Sequence, residues 1–182
     1  MPGERHSMAK VLILYSTTDG HTIEICRRIK QTVAAHGNSV QLKDLKDGPE
    51  LVPGTFDKVV IGASIRYGKH QPLVAEFINE NQNTLEAYPN AFFSVNVVAR
   101  KAEKNRPETN PYLQKFLKKI SWQPQHLGVF AGRIDYPSLG FVDRQMIRFI
   151  MWITRGPTDP NAIVEFTDWK KVEEFGRMVA EM

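Results

Sequence analysis

Residues 11–22, VLILYSTTDGHT, constrain the fold more than any other part of the chain. The segment begins with a short apolar run, which is typical of a buried β-strand, and then changes to hydroxyl, acidic and glycine residues. Apolar side chains then recur at helical spacing over residues 23–30. The sequence therefore predicts a strand, a tight turn and a helix in immediate succession.

Such a junction can bind a phosphate group, because backbone N–H groups and the positive end of the helix dipole point at one small volume. The candidate ligands are the hydroxyls of Ser16, Thr17, Thr18 and Thr22 and the main-chain amides of Asp19, Gly20 and His21. A simple capped helix is the alternative, but a cap needs one hydroxyl and this turn has four. The absence of a lysine and of a Gly-x-Gly-x-x-Gly pattern argues against a nucleoside-triphosphate P-loop and a dinucleotide-binding turn.

Length and composition fit one globular domain. The chain has 182 residues, of which 42% are hydrophobic and 24% charged. We assign residues 8–182 to this domain and expect residues 1–7, which are polar and precede a second methionine, to be a tag or a disordered start. No apolar run reaches the ~20 residues that span a bilayer, so we expect a cytoplasmic location. Neither a metal site nor a disulfide is expected, and Cys26 should be a buried, inert thiol.

The formal net charge of +4 is concentrated in one segment. Residues 97–119 contain seven basic and two acidic residues. A local positive field attracts anionic partners such as carboxylates, anionic lipid or nucleic acid, although an ordinary solvated face is the alternative. The segment lacks the interleaved aromatics of a single-strand reader, so we expect no nucleic-acid partner.

Strand patterns alternate with helix patterns along the whole chain. The predicted strands lie at residues 11–14, 40–45, 58–64, 91–96 and 127–131, with 162–166 as a second half of the fifth. This alternation predicts a flavodoxin-like α/β fold, a doubly wound five-stranded parallel sheet of order 2-1-3-4-5. In that order the loops after strands one, three and four meet at the carboxyl edge of the sheet.

Three sequence blocks resemble a known family. Residues 15–22 resemble the FMN phosphate loop of flavodoxins, with Asp19 where many members have another hydroxyl residue. Residues 60–68 (VIGASIRYG) and 92–101 (FFSVNVVARK), together with the terminal FTDW at 166–169, closely resemble the menaquinone-dependent protoporphyrinogen IX dehydrogenases of bacterial haem synthesis. The resemblance extends from about Lys10 to the C-terminus. It implies that FMN oxidises protoporphyrinogen IX to protoporphyrin IX and that menaquinone or ubiquinone reoxidises the flavin.

The second and third loops would hold the flavin ring. The expected ring contacts after strand three are Ser64, Ile65, Arg66, Tyr67 and Gly68, with Tyr67 as the stacking candidate. The loop after strand four would offer hydrogen bonds from Asn96, Val97, Val98 and Ala99. The flavin carries the electron chemistry, so no catalytic residue is assigned, although His21 and His70 lie nearby.

An insertion at residues 132–161 interrupts the predicted fifth strand, as in long-chain flavodoxins. Within it, residues 141–155 predict an amphipathic helix. One face should carry Val142, Met146, Ile150 and Ile153, widened by Phe149, Met151 and Trp152, and the other Arg144, Arg148 and Arg155. The helix is too short to span a membrane, but it suits an interfacial segment. Packing on the chain's own sheet or on a second subunit of a homo-oligomer is the alternative.

A macrocycle bearing carboxylates would lay its ring on the flavin and the insertion, with its acid groups near basic side chains. The substrate or membrane candidates are Arg100, Lys101, Arg133, Tyr136, Arg144, Arg148, Phe149 and Trp152. A lipid-soluble quinone would reach the flavin from the membrane surface, so the resemblance places the protein peripherally at the cytoplasmic face of the cell membrane. A flavodoxin-type electron carrier and an NAD(P)H-dependent quinone reductase are the alternatives. The positive charge disfavours the carrier, which usually presents an acidic face.

Overall fold

The computed structural model of the protein describes residues 8–182, so the predicted tag or disordered start at residues 1–7 lies outside the described residues. The strands are β1 (Lys10–Ser16), β2 (Ser39–Asp44), β3 (Lys58–Arg66), β4 (Lys69–His70), β5 (Asn90–Val95), β6 (His126–Phe130), β7 (Arg133–Asp135) and β8 (Ile163–Glu165). The helices are α1 (His21–Ala35), α2 (Pro72–Glu80), α3 (Gln82–Ala87), α4 (Pro111–Leu117), α5 (Phe141–Ile153) and α6 (Trp169–Glu181).

The main sheet has the order β2-β1-β3-β5-β6, and every neighbouring pair along this path is parallel. The two-residue strand β4 lies off the path and pairs antiparallel with the end of β3. With β4 set aside, this is the predicted order 2-1-3-4-5, so the doubly wound parallel fold is confirmed. Ser16 pairs with Ala63 and Ser64 with Val95, which brings three strand ends to one edge of the sheet.

Helices cover both faces of the sheet. In β1, Leu12 and Leu14 point to the layer formed by α2, α3 and α4, whereas Val11 and Ile13 point to α1 and α6. A strand buried on both faces reads as a continuous apolar run, which is the pattern that identified β1 in the sequence. The last helix begins as predicted, because the Asp168 side chain accepts hydrogen bonds from the first-turn amides of α6.

The chain leaves the main sheet after β6. Strand β7 pairs antiparallel with β8 in a separate ribbon, with Ile134 opposite Val164. This corrects the expectation that residues 162–166 return to the sheet as the second half of the fifth strand. The physical reason is that the insertion has its own small core, formed by Ile134, Tyr136 and Met151, on which the ribbon and α5 pack.

Helix α5 has two apolar faces, and this also differs from the expectation. Ile147, Ile150 and Met151 pack inward on the small core of the insertion. The second face is exposed to solvent and consists of Phe141, Val142, Met146, Phe149, Trp152 and Ile153. We call these six residues the outer apolar face. Arg144 and Arg148 lie between the two faces and are half-buried, not on an opposite solvated side.

Candidate functional site

A cleft of about 710 Å³ opens at the carboxyl edge of the sheet, between the three strand-end loops and the insertion. The loops line it with Thr17, Asp19, His21, Thr22, Ser64, Ile65, Arg66, Tyr67, Gly68, Lys69, Val95, Asn96, Val97 and Val98. The insertion and α4 contribute Pro111, Tyr112, Lys115, Gly132, Arg133, Ile134, Asp135, Ser138, Leu139, Met146, Ile147, Ile150 and Met151. One wall is therefore polar and the insertion wall is mostly apolar.

The first loop supplies the polar end of the cleft. Gly20, immediately before α1, has a φ of +83°, a conformation that glycine adopts without strain, and its amide donates to Thr17 Oγ1 over 2.9 Å. Thr22 is fully buried, and its Oγ1 has no hydrogen-bond partner among residues 8–182. A buried hydroxyl without a partner is unfavourable, so this atom indicates a polar ligand at the start of α1.

The second loop is a tight hairpin between β3 and β4. Tyr67 and Gly68 form its two central residues, with φ values of +51° and +75°. Two positive φ values identify a type I′ turn, which is strained at Tyr67 and places its half-exposed ring at the mouth of the cleft. At the base of this loop Ser64 Oγ is buried and unpartnered within the described chain.

The third loop is held rigid from below. Asn96 Oδ1 accepts hydrogen bonds from the amide of Ala99 and from Asn110 Nδ2, over 3.1 and 3.0 Å. The Asn96 side chain is thus used inside the protein, and Ala99 belongs to the core. Val97 and Val98 line the cleft with apolar side chains.

An ionic network joins the first two loops to the insertion. Arg66 forms an ion pair with Asp19 and donates to Asp143 Oδ2 of α5 over 3.1 Å. The Tyr67 hydroxyl also donates to Asp143, which raises the pKa of Tyr67. Sequence reasoning missed Asp143, because no local pattern brings residues 76 positions apart together.

Both histidines near the site are hydrogen-bonded, and both have lowered pKa values. His21 Nε2 donates to Thr167 Oγ1 over 2.6 Å, since that hydroxyl itself donates to the Ala131 carbonyl. Burial, and then the charge of Arg133, lowers the pKa of His21. His70 Nε2 lies 3.0 Å from Ser94 Oγ, and burial lowers the pKa of His70 to about 4.

Comparisons with known proteins agree with this geometry. The flavodoxin-domain family profile matches residues 12–161. Protoporphyrinogen IX dehydrogenase (quinone) of Escherichia coli K12 is 40% identical over 173 residues, which cover 95% of this chain and 96% of that protein. The Leishmania major protein of the same name is 45% identical over 167 residues, covering 91% of this chain and 72% of its own length. The chain belongs to this flavodoxin-domain dehydrogenase family. It is therefore a flavodoxin-like, flavin-binding oxidoreductase.

Solved structures support the fold alone. Oxidised flavodoxin 1 of Bacillus cereus aligns with a TM-score of 0.54 at 14% identity, over 95% of this chain and 98% of its own. The two-electron-reduced flavodoxin of Megasphaera elsdenii aligns with a TM-score of 0.56 at 15% identity, over 94% of this chain and 99% of its own. Both have the layered α/β architecture described above.

The family's flavin fits the residues present. The two unpartnered buried hydroxyls, Thr22 Oγ1 and Ser64 Oγ, lie in the first and second cleft loops, where a flavodoxin-type site needs donors. Thr17 also lines the cleft, whereas Thr18 and Gly20 do not. Ser16 is buried beneath the turn and donates instead to Gln71 Oε1 over 2.6 Å.

Three basic candidates, Arg100 after β5 and Arg144 and Arg148 in the insertion, form hydrogen bonds to backbone carbonyls. Arg100 donates to Val97 O and Thr154 O, Arg144 to the carbonyls of Tyr136 and Leu139, and Arg148 to Thr158 O. Such hydrogen bonds stabilise an irregular segment, and none of these three arginines lines the cleft.

The remaining candidates divide between the cleft and the surface. Arg133 lines the cleft, 3.7 Å from Glu24, whereas Lys101 lies outside it. Tyr136 is fully buried and its hydroxyl donates to Pro157 O. Phe149 and Trp152 belong to the outer apolar face.

Sequence reasoning missed the contribution of α4 and β4. The cleft is also lined by Tyr112, Lys115 and Lys69, none of which the sequence identified as a site residue. The packing of the Tyr112 ring against Gly68 turns this helix face toward the site. The spacing of three between Tyr112 and Lys115, which places them on one helix face, is the signal that could have identified the lysine.

Proposed function

We propose that the protein binds FMN and uses it to oxidise protoporphyrinogen IX to protoporphyrin IX, with a membrane quinone, menaquinone or ubiquinone, as the electron acceptor. The observation that carries the proposal is the composition of the cleft. Two buried, unpartnered hydroxyls lie in its flavodoxin-type loops, and an apolar insertion forms its other wall. The names of the curated relatives point to the same reaction.

A single phosphate monoester suits the first loop. The hydroxyls of Thr17 and Thr22 and the amides at the start of α1 can donate to an anion, and the helix dipole favours it. A longer phosphate chain would need additional cations, and the first loop has none. Tyr67 and Val98, on the other two loops, would border the flavin ring.

The insertion wall suits a large apolar macrocycle. Ile134, Leu139, Ile147, Ile150 and Met151 present a nearly continuous apolar surface to the cleft. Burial of apolar area favours binding by roughly 25 cal/mol per Å², so this wall favours a large apolar tetrapyrrole. A dinucleotide reductant gains less from such a surface.

The residues of the chain position the substrate and exclude water. When bound, FMN supplies the centre that accepts hydride from the substrate and returns the electrons to quinone. The hairpin at Tyr67 is held by Arg66 and Asp143, so the insertion stays closed over the strand ends. Burial, and then the charge of Arg133, lowers the pKa of His21, which favours its neutral form beside the cleft.

We infer that quinone reaches the cleft from the cytoplasmic face of the cell membrane, with the protein bound peripherally. The outer apolar face exposes six large apolar side chains, and one of them, Met146, also lines the cleft. Exposed aromatic and aliphatic groups on one helix face are typical of interfacial helices. Within residues 8–182 no helix is long and apolar enough to cross a bilayer.

The test is anaerobic mixing of FMN-loaded protein with protoporphyrinogen IX, followed by addition of menaquinone or ubiquinone. We expect the flavin absorbance to bleach with porphyrinogen and to return with quinone, in repeated two-electron rounds, while protoporphyrin fluorescence increases. Bleaching by NADPH but not by porphyrinogen would identify a nicotinamide-dependent quinone reductase instead. Failure to bleach with either, with reduction only by a protein donor, would identify an electron carrier.

A further inference from the structure

Four cationic side chains line the cleft, and two of them are already paired. Arg66 is paired with Asp19 and Asp143, and Arg133 lies 3.7 Å from Glu24. Lys69 and Lys115 also line the cleft, and their ammonium groups form no ion pair or hydrogen bond with residues 8–182. These two lysines are therefore the cations that remain available to an anionic ligand in the cleft.

The two lysines come from adjacent, firmly packed elements. Lys69 begins β4, and Lys115 lies on α4. The Tyr112 ring packs against Gly68, and the Phe116 ring lies 4.4 Å from the His70 ring, centroid to centroid. These contacts flank both lysines in sequence and hold β4 against α4. Both lysines therefore line the same side of the cleft.

Nearby carboxylates do not neutralise this wall. Of the acidic residues that line the cleft, Asp19 is paired with Arg66. Asp135 is hydrogen-bonded to Ser138 and forms no ion pair with Lys69 or Lys115. The opposite wall is the apolar surface of the insertion. A ligand that matches both walls has a broad apolar body and carboxylate groups on one edge.

We propose that Lys69 and Lys115 bind the carboxylate side chains of the porphyrinogen and so orient the macrocycle over the flavin. The proposal rests on the function proposed above, because it identifies the part of the same cleft that recognises the acid groups. Arg144 and Arg148, two basic candidates within the insertion, do not line the cleft, and both donate to backbone carbonyls of the insertion.

The test compares protoporphyrin IX with its uncharged dimethyl ester. Binding of each to FMN-loaded protein is measured by porphyrin fluorescence for the wild type, Lys69→Gln, Lys115→Gln and the double variant. Lys118→Gln, an exposed lysine at the end of α4 outside the cleft, is the matched control. Steady-state kinetics with protoporphyrinogen IX separate KM from kcat in the same proteins.

We expect each single variant to weaken binding of the free acid about fivefold and the double variant about twentyfold, because a partly solvated ion pair contributes up to about a factor of five. The same changes should appear as a higher KM for protoporphyrinogen IX. Binding of the ester, FMN content and the Lys118→Gln control should remain unchanged. Added salt should weaken binding to the wild type and have little effect on the double variant.

Two results would overturn the assignment. Equal weakening of protoporphyrin IX and dimethyl ester binding would show that the lysines support packing and do not recognise carboxylates. Unchanged protoporphyrin IX binding in the double variant would show that other residues bind the carboxylates. A wild-type protein that neither binds protoporphyrin nor oxidises protoporphyrinogen would instead refute the proposed function, and that failure is visible before any variant is compared.

Discussion

The guanidinium of Arg66, at the end of β3, forms an ion pair with both carboxylate oxygens of Asp19, in the turn before α1. A carboxylate in a phosphate-binding turn repels the ligand, because like charges at short range destabilise each other. Arg66 offsets that repulsion without itself belonging to the turn. The pair explains how this chain tolerates an acidic residue where flavodoxin-like loops often have a hydroxyl.

The first prediction concerns this pair. Arg66→Gln should weaken FMN binding about tenfold, because it leaves the charge of Asp19 uncompensated, whereas Asp19→Asn should leave binding unchanged or improve it. The double variant should regain most of the lost affinity. Flavin fluorescence quenching measures all four dissociation constants. An equal effect of Arg66→Gln with and without Asp19→Asn would show that Arg66 acts on the cofactor directly.

Thr22→Val should have different effects on the free and the flavin-bound protein. The buried Oγ1 has no partner within residues 8–182, so its removal should leave the stability of the flavin-free protein unchanged or raise it by about 1 kcal/mol. FMN affinity should fall at least tenfold, because a hydrogen bond to a charged group contributes about 1.5–3 kcal/mol. Urea unfolding and flavin titration measure the two effects. Thr32→Val, on the same helix but outside the cleft, is the control for affinity. A less stable flavin-free Thr22→Val protein would show that the Thr22 hydroxyl has a partner inside the protein.

His70 should make the flavin-free protein less stable in acid. Burial lowers the pKa of His70 to about 4, below its ordinary value of about 6.5, so the unfolded chain binds the proton more readily. The contribution to stability is fully present above pH 6.5 and is lost as the pH falls toward 4, by about 3 kcal/mol in total. Urea unfolding between pH 4.5 and 7.5, the range set by these two pKa values, should show the slope.

His70→Gln should flatten that slope, and His36→Gln, at an exposed histidine after α1, should not. An unchanged slope in the first variant would assign the acid sensitivity to other groups.

The outer apolar face should mediate membrane binding. Phe149→Ser combined with Trp152→Ser should lower sedimentation with anionic liposomes and reduce quinone turnover. FMN binding and porphyrinogen-driven bleaching should remain, because both side chains are more than half exposed and do not support the fold. Ile150 is left unchanged, because it packs inward. Val52→Ser, at an exposed apolar residue in the segment before β3, is the matched control. Unchanged sedimentation and turnover would favour a contact with a second copy, which the solution mass would reveal.

Gly62→Ala should destabilise the fold. A Cβ atom at this position of β3 would overlap the tip of the Phe93 ring, which is fully buried against Phe130 and Phe175 and has little room to move. Overpacking of this kind typically costs about 1–3 kcal/mol. Chemical denaturation measures the loss, with Gly140→Ala as the control, because a Cβ there has open space. A loss below about 0.5 kcal/mol would show that the ring relaxes.

The sequence alone determined the layered sheet and the start of the site. Continuous apolar runs indicated strands buried on both faces, and helical periodicity indicated the helices between them, because both patterns are local. The alternation of strands and helices then predicted the doubly wound order. The turn between β1 and α1 could be predicted for the same reason, since its strand, turn and helix signals are consecutive in the chain. Loops two and three followed from the topology, which places the carboxyl ends of the strands together.

Only the tertiary structure decided how the insertion is used. Helix α5 has apolar residues around most of its circumference, and a period of 3.6 does not say which half packs inward. The fold buries Ile147, Ile150 and Met151 and leaves the outer apolar face exposed. It also assigns Arg144 and Arg148 to backbone carbonyls and turns Lys115 toward the cleft. These outcomes depend on contacts between segments far apart in the chain, which no local pattern encodes.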